Sequence, residues 1–379
     1  MSSLSRLLGV LLGCLAGALW PATATAVNQE PAGINLGATS FYDGFGRNEE
    51  GFTYLVYAQY AWSRQINGDD GNALTVCNAP QGCGGSSGIA AIPVFKNPKL
   101  DVYVLVNQLA YTLPNKLFND SAHLGINFIL PFIVFDTNFD HTLTAADVGK
   151  TLATEVRDNG AGFGDLTFGP FMQFRPLMAG ARPVFSHRVE LDLIVPTGKY
   201  DPQKDINQGS NFWSINPYWA ATVLPLPGLE VSARFHYLYN FKNHRPALGR
   251  LYSLQVPPQN AAMSELASSQ AGQAGWVNFA LSYELLHLFG VQTSRFSIGA
   301  NGYYFQQFSL DKWEYFDGSS VSGKGIYNDD GKASVLGIGP GAFLELGKHD
   351  RLYANVYFQP IAHNHAESTV LNLHWTHGF

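Results

Sequence analysis

Apolar and polar residues alternate with a period of two through most of this chain, and no stretch sustains the helical period of 3.6. The clearest run is Leu229-Val231-Ala233-Phe235-Tyr237-Tyr239-Phe241, interleaved with Glu230-Ser232-Arg234-His236-Leu238-Asn240. Such alternation builds a strand with one apolar face. A soluble sandwich would bury that face in a core; a transmembrane barrel would turn it to lipid and the other face to its lumen. The alternation alone fits both.

Two further features favour the membrane. Phe52-Tyr54-Val56-Ala58-Tyr60-Trp62 puts aromatic rings at both ends of a strand, with small or branched residues between. Rings settle at the two membrane interfaces, and about eleven residues tilted by about 40° cross the roughly 25 Å apolar band of an outer membrane. The same pattern predicts strands near 52–64, 99–111, 122–135, 164–175, 184–196, 211–224, 229–241, 275–286, 295–308, 333–346, 351–361 and 368–379. Their connections alternate. Those at 65–98, 136–163, 242–274 and 309–332 are long and 197–210 is intermediate, whereas 112–121, 176–183, Pro225–Gly228, 287–294 and Gly347–Asp350 are short. Outer-membrane barrels have short periplasmic turns and long extracellular loops. A soluble sandwich has no reason for that sidedness, although the connection near 362–367 is short where a long one is expected. The expected fold is therefore an all-β transmembrane antiparallel β-barrel of about 12 strands, with 10–14 allowed, over residues 52–379.

Composition sharpens this picture. The 379 residues carry 23 Lys+Arg against 29 Asp+Glu, a net charge of −6, which disfavours nucleic-acid binding. Charged residues are 14%, below the roughly 25% of an ordinary soluble domain. Past the N-terminus no apolar run approaches the ~18 residues of a transmembrane helix. Residues 1–26 form the pattern of a secretory signal peptide: Arg6, the apolar Leu7–Leu19, then Ala24-Thr25-Ala26. Leu11-Leu12-Gly13-Cys14 faintly resembles a lipobox, but the apolar run continues past Cys14. Cys77 and Cys83 remain, flanking a tight loop, and in an exported chain they are expected to form a disulfide.

If the apolar set faces lipid, the alternate set lines the interior. That places Asp165, Gln173 and Arg175, Glu190 and Asp192, Arg234 and His236, Asn278 and Glu284, and Arg351, Tyr353, Asn355, Tyr357 and Gln359 on a mixed-charge path rich in tyrosine. Such a lining favours neither ion sign, and flat rings with polar tips suit small aromatic or apolar solutes. The same residues also fit a solvated or mutually paired wall with no selective role. The Gly-rich segment 27–51, with Asn35, Phe41, Tyr42 and Asp43, is a candidate lumen plug or else a flexible or periplasmic-rim segment. Strand prolines, Pro131 and Pro340 among them, mark bends and candidate lateral openings towards the membrane.

Catalytic motifs are missing: the chain has no G-x-S-x-G, H-E-x-x-H, P-loop or paired C-x-x-C. His363, His365, His374 and His377 lack an accompanying carboxylate or Cys cluster, so no metal or cofactor is expected. A Ser/His site on a barrel wall, as in outer-membrane phospholipases, stays open.

The segments GINLGATSFYDGFG near the start, GFGDLTFGPFMQF at 162–174 and VPTGKYDPQKDINQGSNFWSINPYW at 195–219 resemble the outer-membrane protein family of the meta-pathway of phenol degradation. The likeness runs over nearly all of the mature chain and rests on glycine-and-turn patterns. It implies a barrel encoded among genes for aromatic breakdown, an uptake channel for aromatic or other hydrophobic compounds, and no catalytic residue. The final stretch Leu371 to Phe379, apolar at alternate positions and ending in Phe, resembles the signal through which barrel-assembly machinery recognises its clients, with His377 as a departure. A monomer in the outer membrane of a Gram-negative bacterium is expected, its partners being membrane lipid, the assembly machinery and a small hydrophobic solute. A closed structural barrel and a lipid hydrolase are the rival readings.

Overall fold

The computed structural model describes residues 36–38, 41–76, 92–93, 95–114, 117–141, 157–247, 266–290, 294–316, 318, 320–322, 332–347 and 349–379. The signal segment, Cys14, Asn35, Cys77 and Cys83 lie outside the described residues.

Twelve strands form the wall: β1 (Gly51–Ile66), β2 (Phe95–Thr112), β3 (Ala122–His141), β4 (Leu166–Phe174), β5 (Arg182–Val195), β6 (Ser214–Leu226), β7 (Leu229–Asn240), β8 (Ala274–Glu284), β9 (Ser294–Gln307), β10 (Ser334–Leu346), β11 (Asp350–His363) and β12 (Ala366–Gly378). Each pairs antiparallel with its neighbours in the chain. The last pairs with the first, Val56 opposite Trp375 and Ala58 opposite Leu373, so the sheet closes and leaves no edge.

The faces are inverted relative to a soluble protein. Outward positions are apolar and open, such as Phe235 at 47% and Leu281 at 52% exposure, whereas inward Glu190 and Asn355 are 4% and 2% exposed. In water this arrangement would expose a band of Leu, Phe, Val and Trp around the whole molecule. In a bilayer the band is solvated by acyl chains and the polar set by the lumen. The chain is an outer-membrane β-barrel.

Long connections leave one end of the barrel, and there Leu266–Gln270, Lys312–Tyr315 and Ser320–Ser322 form a small extra sheet. Short turns close the periplasmic end, for example Pro227-Gly228 with Gly228 at φ 78°, a backbone angle that costs glycine little. The connection from β11 to β12 is only Asn364-His365. Ala161–Phe163, just before the predicted strand at 164–175, and β4 are separate segments, both pairing with β3. Gly164 between them packs under Pro131 and Ile133, where a side chain would clash.

Candidate functional site

The N-terminal segment crosses the lumen and is held on opposite walls. Gly37, at φ 73°, donates its N–H to Asn278 Oδ1 at 3.1 Å, and its carbonyl accepts from Tyr357 Oη and Asn372 Nδ2, each at 2.8 Å. A side chain at this position would run into the Tyr357 and Tyr303 rings. Farther along, Tyr42 N–H donates to Glu230 Oε1 at 3.0 Å and Gly44 N–H to Thr222 Oγ1 at 2.9 Å, while Gly44 O accepts from Ser186 Oγ at 2.8 Å. Gly44 lies against the backbone of Ser186, Ala221 and Thr222, an approach that only glycine permits. Between these anchors, Arg234 Nε meets Asp43 Oδ2 at 2.8 Å, and a second bond between the two makes the pair bidentate.

One side of the wall is polar and linked from strand to strand. Tyr57 Oη donates to Gln108 Oε1 at 2.8 Å, Gln108 Nε2 to Asn127 Oδ1 at 3.1 Å, and Asn127 Nδ2 to Glu190 Oε1 at 2.7 Å. Tyr218 Oη donates to Glu190 Oε2 at 2.5 Å, and Arg188 Nε reaches the same oxygen at 2.8 Å. The guanidinium of Arg188 lies 3.7 Å from the Phe171 ring centroid and that of Arg234 4.5 Å from Tyr218, so each cation has an anion and a π face. Arg188 and Arg234 can be buried this way because each is paired with a carboxylate.

The other side is aromatic. Tyr57 stacks on His374 at 4.0 Å, His374 on Tyr353 at 4.5 Å, Tyr353 meets Phe343 at 4.9 Å, and Phe343 meets Tyr42 at 4.9 Å. Nearer the extracellular end an apolar layer bridges the lumen: Ile194, Leu238, Trp276, Tyr303, Phe305, Val335, Tyr357 and Val370 pack together, with Leu36 of the N-terminal segment against them.

Of the residues singled out from the pattern, Glu190, Asp192, Arg234, His236, Glu284, Tyr353, Asn355 and Tyr357 occupy inward positions. Phe41 and Tyr42 are buried and Asp43 is paired with Arg234. Two placements need correction. Arg175 stands beyond the end of β4, exposed, and bonds Asp120 Oδ2 at 2.7 Å across neighbouring turns, because the strand stops at Phe174. Asp165 does not line a path: it anchors an extracellular loop, accepting from Gly198 N–H at 2.9 Å and from Ser210 N–H at 2.8 Å. Burial pushes its carboxyl above the ordinary carboxylate range, against the pull of the Ser210 and Gly198 bonds.

Pro131 points inward and Pro340 outward. Both sit at gaps in the ladders: β10 and β11 are unpaired between Ile338–Phe358 and Gly341–Asn355, and β3 is unpaired on one side between Ile129 and Phe132. The gaps are sealed, by Gly339 against the Val356 carbonyl and by Gly164 N–H donating to Pro131 O at 2.9 Å. Sequence reasoning passed over Tyr57, Gln108, Asn127, Arg188, Tyr218, Trp276, Phe343 and His374. All fall on the inward alternate positions, so the register that found Glu190 could have found them.

Histidine side-chain bonds run to Asn216 from His236, to Thr376 from His374, to Asp350 from His377, and to backbone carbonyls from His349, His363 and His365. Among the described residues no group of three or more His, Cys, Asp or Glu is placed to hold a metal ion.

The barrel is similar to a solved outer-membrane channel of Pseudomonas putida F1, with 15% identity, a TM-score of 0.57, and 91% of this chain and 100% of that chain covered. It is more distantly similar to the β-domain of the Bordetella autotransporter BrkA, with 11% identity, a TM-score of 0.41, and 87% and 100% covered. At these identities the likeness concerns the fold. No curated protein matches the sequence. The family model described as "Putative MetA-pathway of phenol degradation" matches residues 78–374, most of the chain, and the protein belongs to that family.

Proposed function

We propose that this protein is an outer-membrane channel for passive uptake of small hydrophobic, aromatic compounds linked to their breakdown, with the N-terminal segment as a plug in its lumen. The observation that carries the reading is the succession of rings from Tyr57 through His374, Tyr353 and Phe343 to Tyr42. Rings packed against one another along a wall offer an arene apolar ring contact at each step. They offer a hydrated ion nothing, and the apolar layer beyond them opposes ion passage by excluding water. The family's description agrees with a role in aromatic catabolism.

Uptake of a radiolabelled arene at limiting concentration into vesicles containing the purified barrel tests the reading. Uptake above that of empty vesicles is expected. Entry at the rate of empty vesicles points to a closed structural barrel, and phospholipid turnover by the same preparation points to the hydrolase.

A further inference from the structure

Around Gly37 the N-terminal segment meets the wall through its backbone. Gln59 Nε2 donates to the Leu36 carbonyl at 3.4 Å, Asn278 Oδ1 accepts the Gly37 N–H at 3.1 Å, and Tyr357 Oη and Asn372 Nδ2 each donate to the Gly37 carbonyl at 2.8 Å. These four uncharged side chains come from β1, β8, β11 and β12 and close on one stretch of main chain, C=O, N–H, C=O. Asn278 and Asn372 are 2% and 1% exposed, and each keeps a second polar atom, Nδ2 and Oδ1, without a hydrogen-bond partner. Buried polar atoms in native proteins are almost always satisfied, so the segment fits this seat incompletely.

The seat also reads what lies between the two carbonyls. Gly37 has φ 73°, which L residues rarely adopt, and a Cβ there would stand 2.8 Å from the Tyr357 ring and 3.0 Å from the Tyr303 ring, both buried. Beside it, Leu36 packs on the apolar layer. The wall thus specifies an apolar group, a peptide group and a glycine. We infer that this seat is a binding site for short, uncharged peptides in which glycine follows an apolar residue, and that the segment occupies it as a built-in competitor. The inference goes beyond aromatic uptake and shares with that reading only the segment's place in the lumen. A bare arene has no C=O or N–H to offer and leaves the four side chains unpaired. A free amino or carboxylate terminus would be buried with no counter-charge among them, so the peptide ends must be blocked or lie outside the seat. Tyr42, Asp43 and Gly44 keep their own bonds to Glu230, Arg234 and Thr222, so a ligand need displace only the stretch around Leu36 and Gly37. Because that stretch is tethered, it competes at an effective concentration of the order of millimolar.

The test is calorimetric titration of the full-length barrel in detergent with two probes, acetyl-leucyl-glycine methylamide and its L-alanine counterpart, acetyl-leucyl-alanine methylamide. In Gly37→Ala the added methyl group meets the Tyr357 and Tyr303 rings, so the segment vacates the seat. The glycine probe is expected to bind Gly37→Ala at least about tenfold more tightly than it binds the wild type, and at least about tenfold more tightly than the alanine probe does. Asn372→Leu added to Gly37→Ala should weaken the glycine probe about tenfold. Asn278→Leu takes its place should that barrel assemble poorly, with heat-modifiable gel mobility as the check on folding. Equal binding of the two probes, no binding to Gly37→Ala, or binding that survives both Asn substitutions overturns the site. Equal affinity of wild type and Gly37→Ala for the glycine probe overturns the competition. Arene uptake into vesicles separates this inference from the channel reading. Uptake without probe binding removes the seat and leaves the channel, whereas probe binding without arene passage removes the aromatic channel and leaves the seat.

Discussion

At the scale of residues, the charges of the lumen depend on partners, some of them from distant parts of the chain. Arg234 and Asp43 are the sharpest case, with side chains 16% and 9% exposed and a bidentate geometry. Removing one member of a buried pair leaves the other charge desolvated and unpaired, at a cost of about 3 kcal/mol, whereas removing both is milder. Asp43→Ala should therefore lower stability to urea more than the Asp43→Ala/Arg234→Met double variant does, with a coupling energy of at least about 1 kcal/mol. Additive effects would mean that the segment does not depend on this pair. Such partnerships were beyond sequence reasoning. Tyr42 and Glu230 lie 188 positions apart, and nothing in either stretch says which inward carboxylate meets which backbone N–H.

At the scale of elements, alternation was enough to place the strands, because a one-residue slip would turn every charge on a strand towards lipid. The stretch expected at 229–241 is β7, Leu229–Asn240, and the expected start at 122 is the start of β3. Limits outside the membrane were less legible: β3 runs on to His141, where Lys99 Nζ meets Asp136 Oδ2 at 2.5 Å, in a region with no apolar face to read. The short segment Ala161–Phe163, which pairs with β3 ahead of Gly164, fell within the expected connection at 136–163, since three residues carry no readable alternation. The prolines carry a further prediction. If an apolar solute leaves sideways through the seam between β10 and β11, Pro340→Val should slow its uptake several-fold by restoring an N–H to a ladder that lacks pairs there, with barrel yield unchanged. Pro131→Val tests the seam beside β3 in the same way. Uptake unaffected by either substitution would assign exit to the barrel axis.

At the scale of the whole molecule, the proposed plug and the apolar layer lie in series along the axis. Phe41 and Tyr42 pack with Ala280 and Phe343 in the periplasmic half, and the apolar layer around Tyr303 and Tyr357 lies in the extracellular half. Leu36 joins the two, and the Gly37 carbonyl holds Tyr357 in place, so the barriers are not independent. Deleting residues 28–48 removes the first barrier and also the hydrogen bond that orients Tyr357 in the second. Single-channel conductance should then rise well above that of the intact barrel, because water reaches the layer from below and an aromatic side chain released from its acceptor can swing aside. Replacing only Asp43 should give a smaller rise, since Gly37 would still tie Tyr357, Asn372 and Asn278 together. Conductance unchanged by the full deletion would show that the layer closes by itself and that the segment is no plug. Uptake of an arene through that deleted barrel would then have to be explained by the layer alone, whose rings can part for a flat apolar solute while staying dry to ions.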